Sequence, residues 1–228
     1  MLETVGQSLI LLSFIIAVLY GGGWYPDYGQ TITAVIKGSA VGLLAIFVLL
    51  STQSLNHFLL FLALSASVAG DVLLALPIES SFIKGLGAFL VAQLIFIVLY
   101  LTNRMPFADM SAIRVKIAGL LWAAAGITIF FLYPHLGDLM VPVFVYTTAL
   151  LGMVTTALFS KFPVKLVGLG AILFVISDSV LGARQFLTMP DFTGYIVWGT
   201  YYMAELLMTL GVMLAVERHT HFGGYRFD

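Results

Sequence analysis

Apolar runs of helical length, each cut by a few turn-forming or polar residues, recur along the whole chain. About 20 mostly apolar residues suffice to cross the hydrocarbon core of a bilayer as a helix. On that rule the pattern predicts eight spans, at 7–22, 34–51, 57–77, 84–102, 113–133, 138–159, 163–184 and 194–216. Turn chemistry supplies the breaks: Gly21-Gly22-Gly23-Trp24-Tyr25-Pro26-Asp27 closes the first run, and Pro77 ends the third. Met105-Pro106, Tyr133-Pro134 and Met189-Pro190-Asp191 mark later breaks. Every connection is short, which leaves no room for a soluble domain or linker. The predicted fold is an all-α membrane protein with eight transmembrane helices, one polytopic domain over 1–228. Trp24, Tyr25, Tyr28, Tyr133 and Tyr195 fall near predicted span ends, as an aromatic belt requires.

Two segments echo each other within this pattern. Val68-Ala69-Gly70-Asp71-Val72-Leu73-Leu74 in the third span resembles Val175-Ile176-Ser177-Asp178-Ser179-Val180-Leu181 in the seventh. Ala92-Gln93-Leu94 in the fourth echoes Ala204-Glu205-Leu206 in the eighth. Both offsets are about four helices, which points to a 4+4 parallel internal repeat. Such repeats relate by an axis along the membrane normal, with sites at their interface. The third and seventh helices are then expected to meet near that axis.

Composition sharpens the picture. Hydrophobic residues make up 61% of the 228 and charged residues 9%, against roughly 25% charged in soluble domains. The near-neutral net charge of -1 argues against a nucleic-acid partner. The absence of cysteine excludes disulfides, thiolate metal sites and a cysteine nucleophile. No clear small-residue cleavage site follows the first run, so it reads as a retained helix rather than a signal peptide. An even number of spans puts both termini on one side. That side holds Arg104, Arg114, Lys116, Lys161, Lys165, Arg218 and Arg226, and the other holds Lys37, Lys84 and Arg184. The basic excess predicts both termini in the cytoplasm, with a bacterial cytoplasmic membrane as the expected location.

Against this apolar background the buried acids carry the candidate chemistry. A carboxylate at the centre of a spanning helix costs about 2.5–3.5 kcal/mol by insertion scales, so it normally faces a polar interior. Asp71 and Asp178 each lie six residues before the end of a predicted span, roughly 9 Å below the same rim. Two close carboxyl groups do not both ionise, and such a pair titrates as a unit, offering an acid beside a base. The bland reading is two separate acids hydrogen-bonded for packing. Glu205 is a third acid near the midplane. Tyr201, Tyr202 and Thr209 share its helical face, either to bind substrate or only to satisfy the carboxyl. Gln93, Tyr146 and Ser177 are candidate polar partners in a pocket, with helix–helix adhesion as the alternative. Lys37, Lys84 and Arg184 stand at the rim nearest the aspartates, where they would hold a phosphate, pair with an aspartate or snorkel. His57, His135, His219 and His221 sit at predicted ends or tails without HExxH spacing, which argues against a zinc hydrolase. Nucleotide-binding and serine-hydrolase signatures are not convincing either. Gly38, Gly42, Gly168 and Gly170 read as points of close helix approach.

The ordered set of segments resembles the YhhN-type lysoplasmalogenase family of integral membrane enzymes. The carrying residues are Lys37, Ser67-Val68-Ala69-Gly70-Asp71, and the stretch Gly85-Leu86-Gly87-Ala88-Phe89-Leu90-Val91-Ala92-Gln93. They continue with Pro142-Val143-Phe144-Val145-Tyr146, Phe174-Val175-Ile176-Ser177-Asp178 and Tyr202-Met203-Ala204-Glu205-Leu206-Leu207. The chain departs from the family pattern at Gln93, where histidine is common, and at Glu205, where glutamine or histidine is common. The resemblance implies hydrolysis of the vinyl ether bond of a lysoplasmalogen. The products would be a fatty aldehyde and glycerophosphoethanolamine or glycerophosphocholine. Asp71 and Asp178 would be catalytic, a lysophospholipid in the membrane the substrate, and no metal or organic cofactor is required. A proton-coupled transporter of a small molecule or lipid would use the same acids, as would a lipid hydrolase acting on a different bond.

Overall fold

A computed structural model describes residues 2–24, 29–51 and 54–222, with the side chains of 2–3 and 216–222 left aside. Eight of its helices are long and apolar enough to cross a membrane. They are α1 (Leu2–Gly21), α2 (Gln30–Leu50), α3 (Leu55–Ala75), α4 (Ser81–Thr102), α5 (Ala112–Leu132), α6 (Met140–Leu158), α7 (Leu169–Phe186) and α8 (Thr193–Phe222). Tyr25, Tyr28, Arg218, Arg226, His219 and His221 lie outside the described residues or side chains, so their expected placements have no counterpart here. Trp24, Tyr133 and Tyr195 are exposed at helix ends.

Local chemistry explains where the helices stop. Ser54 caps α3 by accepting from the His57 amide. Leu76, which precedes Pro77, is forced extended and ends the same helix. Pro163 precedes a π-turn over Val164–Gly168 that leads into α7. At the lower face, where α4 meets α5 and α6 meets α7, the connections clasp each other. The Met105 amide donates to the Phe159 carbonyl at 2.8 Å and the Lys161 amide to the Asn103 carbonyl at 2.9 Å. Arg114 donates to the carbonyls of Leu158 and Ser160, satisfying acceptors that the end of α6 leaves free.

The spans pack in an asymmetric order. In the first half, α1 to α4 form a consecutive run of close neighbours, while α8 packs mainly on α7 and also touches α1, α2 and α3. The expected meeting of the third and seventh helices does not describe this bundle: α3 packs on α2, α4 and α8, and α8 joins it to α7. Small residues permit the tightest approaches. A Cβ at Gly170 would stand 2.9 Å from the Ala204 carbonyl oxygen of α8, and one at Gly38 would stand 2.8 Å from Val72 of α3. Gly42 and Gly168 do not act alike. Gly42 has room to spare, and Gly168 crowds mainly Val164 of its own turn.

Candidate active site

The upper face is where α1, α3, α5 and α7 end and α2, α4, α6 and α8 begin. A cleft of about 580 Å³ opens there, lined from α1, α2, α3, α4, α7 and α8. Asp71 and Asp178 both line it. Measured from the helix ends, however, they are not equally deep. Asp71 lies four residues before the end of α3 and Asp178 eight before the end of α7, a difference of roughly 6 Å of rise. The sequence placed α3's end too late and α7's too early, which had made the two depths match.

Each carboxyl group has its own partners. Asp71, 1% exposed, accepts a hydrogen bond from the Tyr201 hydroxyl at 2.7 Å on Oδ2. Its Oδ1 meets the Lys37 ammonium at 3.0 Å. Asp178 is half-buried and accepts from the Tyr146 hydroxyl on Oδ2. Among the described residues no cation pairs with it. Lys37 also lies over the Trp198 ring, 5.9 Å from its centroid. Thus Lys37 is not a rim residue. The second helix starts at Gln30 rather than at 34, which carries Lys37 two turns into the membrane and against Asp71.

Packing fixes this geometry. Phe89, Phe174 and Tyr201 form an edge-to-face trio, with centroids 6.2, 5.6 and 5.7 Å apart, that holds the Tyr201 hydroxyl at Asp71. Trp198 is pinned by its Nε1 donating to the Ala17 carbonyl at 2.9 Å and by Tyr20 packed edge-on at 4.5 Å.

Other expected residues divide between cleft and interior. Ser177 lines the cleft, yet its hydroxyl donates to the Val197 carbonyl at 2.9 Å. Arg184 lines it too, while its Nη1 holds the α7–α8 turn through Thr193 Oγ1 at 2.6 Å and two carbonyls at 3.3 Å. Lys84 is exposed at the start of α4 and does not line the cleft. Tyr202 turns elsewhere. Its hydroxyl meets Ser13 of α1 at 2.8 Å, and consecutive helical residues point about 100° apart, so it cannot share Tyr201's aim at Asp71.

Glu205 is fully buried, lines neither this cleft nor the groove described below, and neither of its oxygens has a hydrogen-bond partner among the described residues. Neither tyrosine satisfies it. Gln93, also fully buried and unpartnered, lies outside the cleft as well. Trp198, Tyr20 and Phe89 are cleft residues that sequence reasoning missed. Trp198 carried a usable signal, since it lies three residues before Tyr201 on the same helical stripe.

Asp178 has a second surface. Together with Leu181 it also borders an apolar groove of about 670 Å³ between α4, α5, α6 and α7. Asp178 therefore stands on the boundary between the cleft and an apolar groove, whereas Asp71 lines the cleft alone.

These features define an integral, multi-pass α-helical membrane protein with two carboxyl groups in one intramembrane cleft. The YhhN family model matches residues 32–212, and the chain belongs to the YhhN family. Lysoplasmalogenase of Mycobacterium bovis is 37% identical over 158 residues, which covers 68% of this chain and 60% of that protein. The chain thus matches only about three fifths of the length of the mycobacterial relatives. Lysoplasmalogenase TMEM86B of Rattus norvegicus is 30% identical over 215 residues, 92% of this chain and 87% of that one. The Homo sapiens protein of the same name is 29% identical over 193 residues, 83% and 80% respectively. No solved structure matches.

Proposed function

We propose that this protein hydrolyses the vinyl ether bond of a lysoplasmalogen, with Asp178 as the acid and Asp71 as the charge-stabilising base. One observation carries the reading: two carboxyl groups share a cleft, and among the described residues only Asp71 has a cation paired with it. The lysoplasmalogenase names of the relatives support the choice of bond. Lys37 holds the negative charge on Asp71. Asp178, facing an apolar wall and lacking a cation, carries the proton on Oδ1 while Oδ2 accepts from Tyr146.

Asp178 gives its proton to the outer carbon of the double bond, and the carbon bearing oxygen becomes an oxocarbenium ion. The Asp71 carboxylate stabilises that cation and takes a proton from the attacking water. In the resulting hemiacetal, Asp178 takes the hydroxyl proton as the carbon–oxygen bond breaks, and Asp71 protonates the departing glycerol oxygen. Both carboxyl groups return to their starting states, and one water has been consumed. Glycosidases divide acid and stabiliser between two carboxyls by the same logic. Arg184 is placed to contact the phosphate of a glycerophosphoethanolamine or glycerophosphocholine headgroup.

The test is mass spectrometry of products from purified protein in nanodiscs supplied with a lysoplasmalogen or its acyl counterpart. Fatty aldehyde from the vinyl ether lipid alone is the expected outcome, abolished by Asp178→Asn. Uptake of intact lipid without any product would instead establish a carrier. We also place both termini in the cytoplasm of a bacterial cell. In this cysteine-free chain, Ser80→Cys should then react with an impermeant maleimide on intact cells and Ser111→Cys should not.

A further inference from the structure

The groove beside Asp178 has a shape that the cleft chemistry leaves unused. It runs along one stripe of α7, formed by Val175, Asp178, Ser179, Gly182 and Phe186, a spacing that puts them on one helical face. Ser177 and Arg184 lie on the neighbouring stripe and line the cleft instead, while Leu181, like Asp178, lines both. Asp178 belongs to both stripes, so its carboxyl group is where the two spaces meet. Apart from Tyr146, Asp178 and a few hydroxyls, the groove walls are aliphatic or aromatic.

We infer that this groove binds the alkenyl chain of the substrate, with the headgroup in the cleft and the vinyl ether at Asp178. The inference rests on the vinyl ether reading and adds to it a site for the hydrocarbon portion. The occupant follows from continuity: a molecule charged at one end and apolar at the other matches two spaces that share a carboxyl wall. A lipid chain already lies in hydrocarbon, so the groove offers it no hydrophobic gain over the bilayer. Its contribution is alignment. A chain held along α7 fixes the double-bond carbon against Oδ1, and a misplacement of about 1 Å can cost on the order of a hundredfold in rate.

Gly182 gives the means to test this. It lines the groove one turn beyond Asp178, and an added Cβ there meets nothing within 4 Å, so Gly182→Leu fills the groove without disturbing the packing. For a long-chain alkenyl substrate, kcat/KM should fall about tenfold or more, while a butenyl analogue should lose less than about threefold. Gly119→Leu, at an equally open but groove-free position on α5, should leave both unchanged. Equal losses for both chain lengths, or no loss for either, would overturn the inference, the latter result assigning the groove to ordinary bilayer lipid.

A second readout does not depend on turnover. A non-hydrolysable alkyl lysophosphatidylethanolamine with a diazirine in mid-chain should label the α5 and α6 walls, near Leu132 or Thr147. Unlabelled lysolipid should compete with that labelling, and Gly182→Leu should abolish it. Label scattered over the outer helix faces would refute the site. Because the probe is never cleaved, loss of labelling and loss of aldehyde release report separately on groove and chemistry.

Discussion

Asp71 and Asp178 have the same side chain, a tyrosine partner each and a shared cleft, yet their surroundings differ, and the proposed division of work rests on that difference. Asp71 is enclosed, with Lys37 on one oxygen and Tyr201 on the other. Asp178 has Tyr146 alone and borders an apolar groove. The first arrangement holds a charge in place; the second leaves an oxygen uncommitted toward a lipid. A pair of acids in a membrane is thus informative less through its number than through which of the two a cation pairs with.

The strongest way to break this comparison is to neutralise each acid in turn. Both Asp71→Asn and Asp178→Asn are expected to abolish aldehyde release, but only the first should also unsettle the fold. It leaves the Lys37 ammonium uncompensated, at a cost of roughly 3 kcal/mol, whereas Asp178→Asn removes no ion pair. Thermal unfolding in detergent would read the difference. Adding Lys37→Met to Asp71→Asn should recover Tm without recovering turnover, and a recovered turnover would dismiss Asp71 from the chemistry.

The tyrosines sharpen the contrast at a smaller scale. Tyr146→Phe removes the one hydrogen bond that orients Asp178 and should lower kcat about tenfold to a hundredfold. Tyr201→Phe leaves Asp71 still paired with Lys37 and should cost less. Equal losses in the two variants would mean that the acids are not distinguished by their partners. The smallest effects are expected at Lys84→Ala and Glu205→Gln, which should keep KM within about threefold, because neither residue lines the cleft. A clear rise in KM for Glu205→Gln would bring that buried acid back into the site.

The spans were legible because hydropathy is a local property, written in each run of residues. Family membership and the two aspartates were legible too, since acids inside apolar runs are conspicuous. Depth was less so. Pairing with an aspartate was one of three roles open to Lys37, and the four-residue earlier start of α2, which sets Lys37 deeper, selects it. Helix adjacency was hidden for a different reason: apolar faces look alike, so nothing marked α8 as the element between α3 and α7. The separate aims of Tyr201 and Tyr202 depended on which neighbour each met, and the groove depended on four helices converging. Neither is encoded in any one segment.

One of those four helices is weakly anchored. Along its whole length α5 buries only Ala118 and Leu132 among its described residues, although its upper half forms a wall of the groove. Segments with few buried contacts occupy the low-stability end of a structure. The groove therefore has three firm sides and one compliant one, and the compliant one faces the bilayer. On the proposed reaction, an apolar product would leave sideways past α5 into the membrane and its water-soluble counterpart through the upper mouth, so the two would not compete for one exit.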